Sequence, residues 1–377
     1  MTPSGDLGSR VDAILRNSRV LERNRDLAAL LVDAPVEAAP AIAGAFKDAF
    51  SEWGDNELVL LAEWWGPLDP EAAYAWGVAD WRARHPRFLY ALMRSVARQD
   101  PQAAIALYRS YPPALATYKQ DYPMELEGIV AGWYESGKPG LIDFLVSQPT
   151  PTLQQQTLGT FARLKVLELG PRGAIEWAER AVREDVSGNT SRYVLQRIAA
   201  SVGEVDGPLA AEWAERQVAQ GESVTLIQRV AARWVRREPE RAMEWLAKFD
   251  PLDNDYQMAV DMTFRDWHQL NLAGSRAWLE SKGDERFGWL APATATALRF
   301  EAYRWHHSNN LEADWTGALE TSLKLPERNG LKWGTAAVIA SFWLNRDAPA
   351  AEAWMASAGM PEAFQIKARQ RAENPRP

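Results

Sequence analysis

The sequence predicts an all-α chain, an α-solenoid of about ten helical-hairpin repeats of roughly 35 residues each. Three observations carry that prediction. Eighteen tryptophans stand in 377 residues and recur at a regular interval. A helix-capping residue, often followed by proline, sits at one fixed offset from them, and a small residue sits at another.

The interval is clearest in four segments that open and close on tryptophan: Trp65 to Trp76 (WGPLDPEAAYAW), Trp234 to Trp245 (WVRREPERAMEW), Trp267 to Trp278 (WHQLNLAGSRAW) and Trp343 to Trp354 (WLNRDAPAAEAW). The same frame fits, with substitutions, from Leu30 to Ala41, Val96 to Leu107, Trp133 to Phe144, Val166 to Trp177, Val202 to Trp213 and Trp305 to Thr316. Successive copies begin 31 to 38 residues apart, the period of a helix-turn-helix unit.

Each column has a physical reason. Four residues after the opening position stand Asp69, Asp100, Asp206, Asn271, Asn309 and Asp347, with Gly137 and Gly170 in two further copies. These residues satisfy or tolerate the free amides at a helix start. The next position is Pro35, Pro70, Pro101, Pro171 or Pro239 in five copies, where a missing N–H costs nothing. Three residues on come Ala38, Ala73, Ala104, Ala174, Ala210, Ala242, Ala313 and Ala351, with Ser275 nearly as small, and a small side chain lets helices approach. The closing aromatic follows by three, on the same helix face.

The two aromatic columns hold 12 of the 18 tryptophans, which reads as inter-repeat core. Trp53, Trp64, Trp81, Trp289, Trp315 and Trp333 lie outside the columns and are expected at exposed contact positions. Prolines at 112, 113 and 123, then at 149 and 151, predict irregular stretches over 110–124 and 147–152 within one repeat domain spanning 1–377. Frayed ends are expected at Met1 to Gly8 and over 372–377.

The Pro, small-residue and aromatic offsets resemble the tetratricopeptide-like repeats. They are more similar still to bacterial repeat proteins marked by Trp, acidic-Pro, Ala-Ala and Trp signatures. The resemblance implies a helical scaffold that binds a protein or peptide.

Composition bounds the function. With 47% hydrophobic and 24% charged residues the chain folds, and a net charge of −8 argues against a general nucleic-acid binder. No cysteine is present, which removes disulfides, thiolate metal sites and cysteine nucleophiles. No stretch reaches the length of a membrane span, and the polar start MTPSGDLGSR lacks the apolar core of a signal peptide. The text reads as cytoplasmic, or as periplasmic after removal of a signal sequence.

No catalytic constellation emerges, and no cofactor or metal is expected. Gly132 to Pro139 (GWYESGKP) imitates a phosphate loop until Pro139, where a magnesium-binding hydroxyl is required. The histidines, His85, His268, His306 and His307, lack metal-ligand spacing and are expected at the surface, with Glu312 and Asp314 the nearest carboxylates to the last pair. Asp253 and Asp255 have the spacing that opens a calcium loop but not its glycine or distal glutamate, and read as a turn.

The most suggestive polar feature is a run of arginines, Arg229, Arg233, Arg236 and Arg237, expected as a basic stripe on the second helix of one repeat. Similar helices carry Arg192 and Arg197, Arg94 and Arg98, then Arg265 and Arg304. Two readings stand: a groove that clamps acidic groups of a protein or peptide, or a solvated face paired with Glu and Asp. The first makes the chain a non-enzymatic binding scaffold. The alternatives are an α/α-toroid enzyme acting on a glycan or terpenoid-like substrate, for which no spaced acidic pair is found, and a structural component of a larger bacterial assembly.

Overall fold

The computed structural model describes residues 3–49, 54–79, 86–110, 124–184, 189–249, 253–308 and 313–373. Among them the chain is all-helical, with no strand. It divides into two compact units, Met1–Glu168 and Leu169–Pro377.

In the first unit the helices are α1 (Pro3–Leu15), α2 (Val20–Asp33), α3 (Ala39–Asp48), α4 (Asp55–Trp65), α5 (Pro70–Ala79), α6 (Pro86–Gln99), α7 (Pro101–Ser110), α8 (Met124–Ser136) and α9 (Leu141–Val146). Helix α10 (Pro151–Glu184) begins in this unit and is interrupted at Gly170, whose φ of 70° and ψ of 170° lie outside helical geometry. Helices α2, α4, α6 and α8 each end on or beyond the opening residue of a copy, and they pack in sequence, α2 on α4, α4 on α6 and α6 on α8.

The second unit continues with α11 (Asn189–Val205), α12 (Gly207–Ala219), α13 (Thr225–Trp234), α14 (Pro239–Leu246), α15 (Asn254–Leu270), α16 (Leu272–Ser281), α17 (Ala291–His307), α18 (Trp315–Leu323), α19 (Leu331–Leu344), α20 (Ala348–Ser357) and α21 (Glu362–Glu373). Here α11, α13, α15, α17, α19 and α21 pack in the same serial way, and each hairpin partner lies against its own first helix.

The capping column performs as its chemistry requires. Asp69 accepts from the Ala72 amide at 3.1 Å, Asp206 from Leu209 at 3.1 Å, Asn271 from Gly274 at 2.9 Å and Asp347 from Ala350 at 3.1 Å. The small column is fully buried at Ala38, Ala73, Ala104, Ala174, Ala210, Ala242, Ala351 and Ser275. Opening and closing aromatics meet within one hairpin: Trp65 and Trp76 at 6.0 Å, Trp133 and Phe144 at 5.4 Å, Trp234 and Trp245 at 5.9 Å, Trp267 and Trp278 at 5.1 Å between ring centroids.

Several expectations need correction. In the copy opening at Trp305 the second helix starts five residues late. Asp314, not Asn309, caps it, accepting from the Gly317 amide at 2.8 Å, and Trp315 takes the stacking place against Trp305 at 5.2 Å. Ala318, buried, then fills the small position that Ala313 was expected to hold. Asn309 and Glu312 lie outside the described residues. In the copy opening at Trp133 the helix start moves from Lys138 to Leu141, because Gly137 and Gly140 both take positive φ before it.

Of the off-column tryptophans, none that is described is exposed. Trp64 donates to the Ala34 carbonyl at 3.3 Å, Trp289 to Glu285 at 2.7 Å and Trp333 to Glu327 at 3.1 Å, while Trp315 stacks as above. Each of these indole N–H groups or ring faces has a partner; Trp333 is buried and Trp64, Trp289 and Trp315 are half-buried. Trp53 and Trp81 lie outside the described residues. Helix α1 starts at Pro3, inside the expected frayed end, and α21 runs to Glu373. Residues 147–150 separate α9 from α10 as the prolines predict, whereas 111–123 and 374–377 lie outside the described residues.

Candidate functional site

The sequence placed four arginines on the second helix of one repeat; the structure separates them and puts Arg229 and Arg233 on α13, the first helix of the α13–α14 hairpin. Helix α13 ends at Trp234, and a turn follows in which the Arg237 and Glu238 amides both donate to the Trp234 carbonyl, at 3.0 and 3.1 Å. Arg236 and Arg237 sit in that turn, exposed, with Arg237 reaching only to the Val205 carbonyl at 3.5 Å. The same turn follows Trp65 and Trp343; here Pro239 opens the next helix, and the Glu238 carboxylate before it accepts from the Trp234 indole at 2.7 Å.

What remains on α13 is more informative. Arg229 and Arg233, one turn apart, face Arg197 of the neighbouring α11. Arg197 and Arg229 are half-buried, and among the described residues neither makes a hydrogen bond or an ion pair. The Arg229 Nε is fully shielded from solvent with nothing to donate to.

Burial pulls the Arg197 guanidinium down to about 10, and the positive charges of Arg229 and Arg233 push the same way. Arg229 is lowered by burial first and by Arg233 second. No carboxylate offsets either shift. Arg197 and Arg229 remain charged near neutral pH, so the two are crowded, desolvated cations held together by the packing of α11 on α13, and an incoming carboxylate or other oxyanion would relieve them.

The other expected site residues do not join it. Arg265 pairs with Asp261 one turn back at 3.0 Å, and Asp261 also receives Arg299 of α17 at 2.9 Å. Arg304 is exposed on α17 near Glu301 and His268. The side chain of Arg192 lies outside the described residues. Arg94 and Arg98 are consumed structurally, by Glu135 at 2.6 Å and by Glu63 at 2.5 Å.

The weaker motifs resolve plainly. Gly132 belongs to α8, packed on α6, and Lys138 donates to the Gln99 carbonyl at 2.5 Å, so GWYESGKP cradles no phosphate. Asp253 caps α15 by accepting from the Asp255 amide at 2.8 Å. Among the described residues no group of His, Asp and Glu is arranged to hold a metal, and no helix is long and apolar enough to cross a membrane.

One histidine contradicts its expected surface place. His268 is 2% exposed, its Nδ1 2.8 Å from the Ser275 Oγ. Ser275 occupies the small column, and its hydroxyl gives the ring a buried partner that alanine could not. Burial pulls the imidazole down to about 4, with Arg276 and Arg304 adding to the effect, so it is neutral at pH 7. His307 bonds the Tyr303 carbonyl at 2.9 Å and is exposed, while His85 lies outside the described residues.

Comparison with protein-family models, with curated proteins and with solved structures finds no match to this chain.

Proposed function

We propose that this chain is a non-enzymatic scaffold, an α-solenoid of tetratricopeptide-like hairpins, that binds an acidic segment of a protein or peptide on the α11–α13 face. The observation that carries the proposal is the pairing of Arg197 with Arg229: two half-buried guanidinium groups on adjacent helices with no carboxylate of their own. Folding has already met the cost of desolvating and crowding these charges. An anionic partner therefore gains attraction without bearing the whole of that penalty. The serial packing of first helices supports the repeat architecture, and the exposed face such packing leaves suits an extended ligand.

Calorimetric titration with a short all-glutamate peptide tests this directly. The native chain binds it at low salt and progressively more weakly as salt rises, and the Arg197→Gln/Arg229→Gln chain loses about tenfold or more in affinity. A native chain that shows no binding at low salt overturns the proposal.

A further inference from the structure

We infer that the segment bound at this face is amphipathic, setting carboxylates over the arginines of α11 and α13 and an apolar side chain over exposed methionines of α15. The inference deepens the acidic-partner proposal above and rests on it.

The repeat register places these groups together. Five residues before the opening position, successive first helices carry Arg197, Arg229 and Met262; nine residues before it they carry Tyr193, Thr225 and Met258. Since α11 packs on α13 and α13 on α15, equivalent positions present one continuous face. The Gln228 side chain donates to the Asp255 carbonyl at 3.0 Å and ties α13 to α15 in that register.

Exposure at these positions is unusual for their side chains. Met258 is 48% exposed, Met262 37% and Tyr193 38%, each left in water where the other faces of the same helices are buried. Met258 and Met262 are one turn apart, so they form a single apolar strip rather than two scattered residues. Methionine is unbranched and adapts to the side chain laid against it, a property suited to a binding surface more than to a core.

Charge fixes the direction of the segment. Helix α15 carries Asp261 and Asp266 beside Met262, and Asp261 is already held by Arg265 and Arg299. The cations beside Met262 are thus already matched by Asp261, whereas Arg197 and Arg229 have no carboxylate of their own, so the acidic part of the partner lies over α11 and α13 and its apolar part over α15. A polyphosphate or nucleic-acid backbone offers nothing to the methionines.

Fluorescence anisotropy with three labelled probes decides the matter: a peptide alternating glutamate pairs with leucines, an all-glutamate peptide of equal charge, and inorganic polyphosphate. We expect the glutamate–leucine peptide to bind about tenfold tighter than the all-glutamate one. The Met258→Ser/Met262→Ser chain should lose that difference yet hold the all-glutamate peptide as before. Both side chains are solvent-exposed, so its thermal unfolding should match the native chain. Equal affinities for the two peptides overturn the amphipathic inference and leave the acidic-partner proposal standing. No binding of either peptide overturns both, and tighter binding of polyphosphate overturns the inference in favour of a phosphorylated partner.

Discussion

The first unit and the α11–α13 step of the second use arginine on their first helices in opposite ways, although Arg299 of α17 ties to Asp261 of α15 further along the second unit. In the first unit each step from one first helix to the next is closed by an arginine and a glutamate. Arg23 of α2 meets Glu57 of α4 at 2.6 Å, Arg98 of α6 meets Glu63 of α4 at 2.5 Å, Arg94 of α6 meets Glu135 of α8 at 2.6 Å, and Arg163 of α10 meets Glu127 of α8. In the second unit Arg197 and Arg229 span the step from α11 to α13 with no such partner. Where the chain supplies the anion, arginine is a structural cross-tie. Where it withholds one, the same residue type stays half-buried without a carboxylate.

That contrast can be broken by separating α6 from α8. Gly132 lies so close to α6 that a Cβ there would stand 2.1 Å from the Arg94 carbonyl oxygen and 2.9 Å from the Arg98 amide nitrogen. Backbone atoms cannot yield as a side chain would. Gly132→Ala should force the helices apart, strain the Arg94–Glu135 tie and cost about 3 kcal/mol of stability, read from the denaturant midpoint.

Acid sharpens the contrast next. Buried Arg23 has a carboxylate partner; buried His268 has a hydroxyl and two arginines nearby. Because the folded imidazole sits at about 4, below its ordinary 6.5, the unfolded chain binds the extra proton first as pH falls. Stability carried by neutral His268 is whole above the unfolded value and shrinks between there and about 4, a loss of about 2 kcal/mol from pH 7 to 5. Hydrogen exchange of α15 to α17 should accelerate over that range, and His268→Gln should flatten the response; an unchanged slope in the variant would discard this account.

The smallest effect is the most diagnostic in sign. Arg98→Gln removes a partly exposed pair and should destabilise by roughly 0.5 kcal/mol, whereas Arg229→Gln removes repulsion and should leave stability unchanged or raise it by a similar amount. If both variants destabilise alike, the Arg229 cluster has an internal partner and the contrast between the units falls.

Much of the hairpin architecture was legible because it rests on local chemistry. The capping residues, the small column and the paired aromatics all act within one helix turn or one hairpin, distances a one-dimensional spacing can encode. The copy at Trp305 was misread because Asn309 and Asp314 are equally good caps, and only the stacking of Trp315 on Trp305 chooses between them. The candidate site was half legible. Its arginine-rich helices stood out, but which arginine is cancelled depends on a residue some 35 positions away, as Glu63 is from Arg98. Nothing local marked His268 as buried, although Ser275 in a column of alanines was the signal that something polar lay opposite.

The tryptophan pairs have an optical consequence. Trp65–Trp76, Trp234–Trp245 and Trp267–Trp278 hold their rings 6.0, 5.9 and 5.1 Å apart at interplanar angles of 48°, 51° and 57°. Two identical chromophores so close and so regularly skewed share their excited states, and circular dichroism then shows a split band in place of independent transitions. Closure of a hairpin, which brings its opening and closing residues together, is thus written into the chain's own spectrum. Replacing one ring of a pair with phenylalanine would subtract the contribution of one hairpin, so that each of these three hairpins could be watched forming without any attached label.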